Sequence, residues 1–241
     1  MKKILFFLLT TLSLISLFSQ DRLTIEPSGN IVTKDVAVKA FDAIEASGLY
    51  ELVLTEGGKE AVKIEADDNL INLFSVSNNG DKLLIEMPEL KNHNINSKKK
   101  GDGKNLKWKV YVTYRKLKSL DVAVVGNVTA ETPIKSDDLK IHSKSVGNIN
   151  LGIATEKLNV ENVGVGNITL KGTATDAIVK NAGVGEFDGE ELIVQTMEID
   201  NSGIGSADVN VDKNLKIKQS FLGKVRNKGN AKLNNGEGVV I

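Results

Sequence analysis

The sequence predicts an all-β fold, a parallel β-helix (solenoid) wound in rungs of about 20 residues behind irregular N-terminal rungs. Glycines 126, 147, 166, 185, 205 and 223 recur at spacings of 21, 19, 19, 20 and 18 residues. The residues around them fall into apolar and polar columns that alternate with the period of a strand. Composition agrees: 22 Gly against 3 Pro, 41% hydrophobic residues and only 5% aromatic ones imply a Val/Ile/Leu core with many glycine corners.

The first 20 residues read as a secretory signal peptide. Lys2 and Lys3 precede an apolar stretch from Ile4 to Phe18 that only Thr and Ser interrupt, followed by "SQDR". The stretch is short of the roughly 20 residues of a membrane span, so cleavage near Ser19 or Gln20 is expected rather than an uncleaved anchor. The chain should be exported, to the periplasm, the outer surface or the medium, with no membrane span in its mature form. With no cysteine there is no disulfide, thiolate nucleophile, cysteine-held metal or cysteine-linked lipid anchor. Without the signal, 29 basic residues face 31 acidic ones, a net charge of −2. That balance, with only Arg22, Arg115 and Arg226 as arginines, gives nucleic acid nothing to bind.

Residues 21–35 read as a leader and 36–241 as a single solenoid domain. Within 36–117, "YELVLTEGG", "AVKIEA" and "KLLIEMPE" alternate apolar and polar, separated by Gly-Gly and Asn-Gly turns. These are irregular rungs capping the stack. Gly48 resembles a repeat corner, although its upstream columns do not align with the others. Residues 91–105, "KNHNINSKKKGDGKN", read as an exposed loop, and "LKWKVYVTY" as a strand leading into the regular rungs of 118–230.

Counted from each glycine, position −8 holds Lys118, Leu139, Leu158, Ala177, Met197 and Leu215, and position −6 Leu120, Ile141, Val160, Val179, Ile199 and Ile217. Position +2 holds Val128, Ile149, Ile168, Phe187, Ala207 and Val225, and position −1 Val125, Val146, Val165, Val184, Ile204 and Leu222. All four columns are expected to face the core. Because −1 is odd and the others even, the strand should bend at the glycine, which enters the left-handed region cheaply. The Asn that follows three of the glycines tolerates that region too. Position −4 is also even, yet it holds Asn162, Asn181 and Asn201. These should form a buried ladder of stacked amides or, alternatively, cap the backbone of a second corner.

The phrases "VGNIN", "GVGNITLKG", "AGVGE" and "NSGIG", preceded by "FDAIEASGLYELVLTEG" and "VYVTYRKLKSLDV", resemble the head GIN domain proteins, a family of auto-transporter adhesins common in Bacteroidetes. The resemblance covers roughly residues 36–230. It implies a right-handed parallel β-helix, a place in the cell envelope or outside the cell, and no particular functional residues. The family's Ser-Gly-x-Gly is intact only at Ser202 to Gly205.

Candidate chemistry sits on the polar columns. Position −5 alternates Asp121, His142, Glu161, Lys180, Asp200 and Lys218, which suits a surface charge ladder. Position +3 brings Asp188 and Asp208 onto neighbouring rungs with Arg226 one further. Carboxylates about 5 Å apart there could hold a cation or act as an acid and nucleophile pair on a sugar. Glu190 and Glu191 lie close by in sequence. Solvated carboxylates beside lysines are the plainer reading. His93 and His142 have no metal-ligand spacing, and the Lys98–Lys100 run suits a loop tip. "GVGNIT" lacks the third glycine of a dinucleotide fingerprint, and the Asn127 and Asn167 sequons are coincidental. No catalytic, cofactor-binding or metal residue is therefore assigned, and no cofactor. The function expected is a non-enzymatic, exported solenoid that binds an envelope or extracellular ligand, a glycan or a protein, through an extended β surface. A carbohydrate-active enzyme, a lyase or hydrolase using the +3 or −5 carboxylates, is the alternative, and a purely structural envelope role is a third.

Overall fold

The computed structural model describes residues 23–88, 93–95, 108–220 and 222–234. The signal stretch and Lys98–Lys100 lie outside the described residues. Eighteen strands follow in order: β1 (Leu23–Ile25), β2 (Ile31–Val36), β3 (Ala43–Gly48), β4 (Glu51–Glu56), β5 (Ala61–Asp67), β6 (Ser75–Asn79), β7 (Lys82–Glu86), β8 (His93–Ile95), β9 (Lys109–Tyr114), β10 (Ser119–Val124), β11 (Val128–Ala130), β12 (Ile134–Ser143), β13 (Ile149–Asn162), β14 (Ile168–Asn181), β15 (Phe187–Asn201), β16 (Ala207–Gln219), β17 (Val225–Asn227) and β18 (Lys232–Asn234). Sixteen of them form one wound sheet, while β1 and β8 pair separately. That second pairing puts a short strand at His93–Ile95, inside the segment expected to be loop.

The protein is a β-solenoid of about 5 turns with rungs about 20 residues apart. Strands β10, β12, β13, β14, β15 and β16 stack in parallel, and like residues meet like. The −6 column runs Leu120, Ile141, Val160, Val179, Ile199, Ile217 through successive register pairs. The +2 column runs Val128, Ile149, Ile168, Phe187, Ala207, Val225 in the same way. Both columns are buried except at the last rung.

The −1 column departs from expectation. Val125, Val146, Val165, Val184, Ile204 and Leu222 do stack in order, the first five as consecutive parallel bridges, but each is 45–59% exposed. The residue facing inward is −2: Val124, Ser145, Gly164, Gly183 and Gly203. Even parity therefore continues straight through the corner, and no side-chain flip occurs. The bend instead brings the backbone of adjacent rungs so close that −2 has little room. A Cβ on Gly164, Gly183 or Gly203 would press on a carbonyl oxygen of the preceding rung. Position 0 is tighter still. Gly147, Gly166, Gly185 and Gly205 have φ between +130° and +139°, and a Cβ on any of them would strike the carbonyl oxygen of the preceding glycine.

Parity does change in β12, β13 and β14, at a second bend without glycine. Along β13 the buried residues are 149, 151 and 153, then 158, 160 and 162. Glu156 between them is exposed and left out of the register, as is Asp137 one rung earlier. Hydroxyl groups brace this bend: Ser136 Oγ donates to the carbonyl of Asp138 (2.9 Å) and Thr155 Oγ1 to that of Lys157 (3.0 Å).

At the N-terminal end β3 and β4 form one more rung. Its register explains why Gly48 did not align. Ile44, Ala46 and Gly48 pair with Leu120, Val122 and Val124, so Gly48 occupies position −2 and Tyr50 position 0. "SGLY" at 47–50 thus stands level with the intact "SGIG" at 202–205. Below this rung lie β7 and β9 in parallel with β3 and β4. Antiparallel β6 then pairs with β7, β5 with β9, and β2 with β5. Residues 31–36, read from sequence mostly as leader, are thereby an edge strand of the main sheet. No helix among the described residues is long and apolar enough to cross a membrane.

Candidate functional site

The corner carries two amide ladders, one inside and one outside. Inside, Asn162 Nδ2 donates to Asn181 Oδ1 (2.7 Å) and Asn181 Nδ2 to Asn201 Oδ1 (2.8 Å). Asn201 Nδ2 ends the chain on the Gly205 carbonyl (3.0 Å), and Asn162 Oδ1 accepts the Gly164 N–H (3.0 Å). All three are buried. The expected ladder and the expected backbone cap are thus both present. Ser143 and Ser145 extend the polar core one rung back, with Ser145 Oγ accepting the N–H of Val124 (3.2 Å).

Outside, the Asn after Gly126, Gly147 and Gly166 ties one rung to the next. The backbone N–H of Asn148, Asn167 and Glu186 donates to Oδ1 of Asn127, Asn148 and Asn167 respectively, at 3.0–3.1 Å. No non-glycine residue described has positive φ. The Asn is there for this bond and not for a left-handed backbone.

The +3 column is where chemistry was expected. Asp188, Asp208 and Arg226 are indeed register neighbours. Arg226 Nε and Nη2 clamp Asp208 at 2.5 and 2.6 Å, while the Asp208 side chain is 10% exposed and that of Arg226 64%. This two-point bond holds the Asp208 carboxyl below the ordinary carboxylate range, against a smaller upward push from burial. The surrounding carboxylates are occupied as well. Glu190 pairs with Lys228 (2.9 Å), Glu191 with Lys171 (2.8 Å), Glu186 accepts the Ser206 hydroxyl (3.0 Å), and Asp188 accepts the Glu190 N–H (3.2 Å). A sugar-cleaving pair needs one carboxyl that keeps its proton near neutral pH; here the most buried carboxylate of the group is driven the other way. Among the described residues no group of three or more His, Asp and Glu side chains is placed to hold a metal.

A second outward face, called flat because its residues stand level from rung to rung, is formed by the −5 column on the strand run before the corner, beside the +3 face. Glu45, Asp121, His142, Glu161, Lys180, Asp200 and Lys218 stand level on successive rungs. His142 Nδ1 lies 3.3 Å from Asp121, and Lys218 Nζ 2.7 Å from Asp200. The neighbouring outward column adds Lys216–Glu198 at 2.9 Å. At the N-terminal strand ends a shallow depression of about 360 Å³ is lined by Phe41, Asp42, Glu60, Asp81, Arg115 and Lys116. Sequence reading did not pick it out, since its residues come from four separate segments.

The head GIN domain family, described as "Putative auto-transporter adhesin, head GIN domain", matches residues 40–231. The chain belongs to this family. Among solved structures, this head GIN domain is similar to a "putative adhesin" from Bacteroides fragilis, with 27% identity, a TM-score of 0.70, and 87% of this chain and 98% of that one covered. A "putative lipid binding protein" from Parabacteroides distasonis shares the fold at 18% identity and a TM-score of 0.66, with 87% and 94% covered. So does a "putative adhesin" from the same organism, at 19% identity and 0.61, with 90% and 96% covered. No curated protein matches the chain. An adhesin-like role is accordingly supported by the family and by the Bacteroides fragilis neighbour, and the Bacteroides and Parabacteroides neighbours point to Bacteroidetes.

Proposed function

We propose that the protein is an exported, non-enzymatic adhesin of the cell envelope. A signal peptide over residues 1–20 precedes a single solenoid domain, which binds a glycan or protein ligand through its flat second face. The observation that carries this reading is the in-register outward charge of that face. Asp121, His142, Glu161, Lys180, Asp200 and Lys218 repeat at the rung spacing of roughly 4.8 Å. A level, rigid array of this kind meets an extended partner through many weak contacts and needs no cavity. The occupied state of the Asp208 group supports the absence of hydrolytic chemistry.

The test is binding of the purified protein to arrays of glycans and host-matrix proteins, with fractionation of the native cells. Retention of a ligand that Lys180→Glu with Lys218→Glu reduces at least tenfold, without loss of fold, is expected. No retained ligand, a ligand indifferent to both lysines, or turnover of a glycan would overturn the proposal.

A further inference from the structure

The exposed −1 column is used by neither the core nor the flat face. Val125, Val146, Val165, Val184, Ile204 and Leu222 form an apolar ridge along the solenoid, each about half exposed. The −3 column beside it is uncharged apart from Lys144, holding Ala123, Val163, Ala182, Ser202 and Ser220. Backbone demand does not explain the ridge, because the N–H and C=O of Val146, Val165, Val184 and Ile204 are met by adjacent rungs whatever the side chain. Six half-exposed aliphatic side chains present on the order of 500 Å², at the upper end of what a monomer ordinarily leaves bare in one patch. With the −3 column and the stems of the −5 side chains, the face approaches the roughly 800 Å² per partner of a standard interface.

The charges beside the ridge specify what fits it. From Asp121 onward the −5 column is Asp121, His142, Glu161, Lys180, Asp200, Lys218; read from the other end, each of these acids meets a base, while Glu45, one rung further out, has no counterpart. Asp121 opposes Lys218, His142 opposes Asp200, and Glu161 opposes Lys180. The flanking columns tolerate the same reversal. Lys144 falls opposite Ser202, Asn127 opposite Lys224, Asn167 opposite Glu186, and Thr129 opposite Arg226, with no like charges facing. A two-fold axis lying across the ridge, between the rungs of Val165 and Val184, generates this arrangement, with each patch meeting its own reverse. A two-fold running along the ridge would set Lys218 near Lys224 and Arg226 instead.

We propose that the ridge is the interface of an antiparallel homodimer, in which Val125 of one copy lies against Leu222 of the other and Val165 against Val184. The dimer covers the −5 column that the adhesin reading assigns to its ligand, so the two compete there; Val165→Asp and Val184→Asp, which leave that column unchanged, read the dimer alone.

Sedimentation velocity over a concentration series tests it. Wild type is expected to interconvert between monomer and dimer. Val165→Asp and Val184→Asp, both at exposed positions, are expected to be monomeric with unchanged circular dichroism. Lys180→Glu should weaken dimerisation at least tenfold, and adding Glu161→Lys should restore it. The chain has no cysteine, so orientation is read directly. A mixture of Val125→Cys and Leu222→Cys chains should form the mixed disulfide, whereas neither alone should cross-link. The two positions lie about 24 Å apart within one chain, five rungs at the strand spacing. A wild type that is monomeric throughout overturns the proposal, whether or not it floats with phosphatidylcholine vesicles, which would assign the ridge to lipid. So does a dimer indifferent to the aspartates, or one that links Val125→Cys to itself.

Discussion

Rungs 118–219 fill their interior with Val, Ile and Leu in level columns, with Phe187 and Met197 the largest departures. Residues 41–117 add Phe41, Tyr50, Phe74, Trp108 and Tyr114 to their buried aliphatics. Tyr50 stacks against Phe74 at 5.6 Å and Phe74 against Trp108 at 6.5 Å, tilted and edge-on. The indole Nε1 of Trp108 donates to the buried Asp67 (2.7 Å), whose other oxygen accepts the Gly29 N–H (2.5 Å). In the regular stack each rung is the floor of the next, so identical small units suffice. At the end no next rung exists, and the core must be closed by bulk and by strands that run the other way. The contrast separates positions whose loss is shared by the whole fold from positions whose loss stays within neighbouring rungs.

Trp108→Ala should cost the most, about 4 kcal/mol, because it empties a large site and leaves Asp67 buried without its donor. Urea unfolding followed by circular dichroism measures this; a loss below about 1 kcal/mol would show that the end is no more demanding than the rungs. Gly166→Ala should cost about 3 kcal/mol, combining a disfavoured φ with a backbone collision. Gly58→Ala, where a Cβ meets nothing within 4 Å, should change stability by less than about 0.5 kcal/mol. Asn181→Ala removes the middle of the inner ladder and should cost about 2 kcal/mol, since it strands Asn162 Nδ2 and Asn201 Oδ1. If Asn181→Ala proves neutral, the ladder is a passenger of the corner and not part of its support.

A smaller effect than that of Asn181→Ala concerns the last rungs. Asp208 is held below its unfolded value by Arg226, so their bond contributes fully above the ordinary Asp value of 3.8 and is lost as pH falls through the lowered one. Asp208→Asn should therefore cost under about 1 kcal/mol at pH 7, because Arg226 is solvent-screened. It should also flatten the stability curve below the ordinary Asp value, as chemical denaturation across pH would record. A variant with the wild-type acid limb would place the acid sensitivity elsewhere.

Much of this architecture was legible because a solenoid repeats its solution. The −6, −4 and +2 columns were read correctly, since each is supported by several rungs at once. Gly48 could not be placed the same way. Its glycine matches position −2 and not position 0, and only the pairing of Ile44 with Leu120 reveals the offset. Asp67 was missed because it meets Trp108 across 41 residues. The Asp188, Asp208 and Arg226 alignment was visible, but whether Arg226 would neutralise Asp208 or leave it free was not.

The amino-acid sequence alone determined the rung length, the β-solenoid and the buried amides, because periodic burial and hydrogen-bond demand are written residue by residue. Which side of the corner the valines face was decided only in three dimensions. Apolar character made −1 look internal, but from the second regular rung on the close approach of successive carbonyls leaves the inside of the bend to Ser145, Gly164, Gly183 and Gly203. The valines are thereby turned outward, and it is this crowding of backbone on backbone that gives the molecule its exposed ridge.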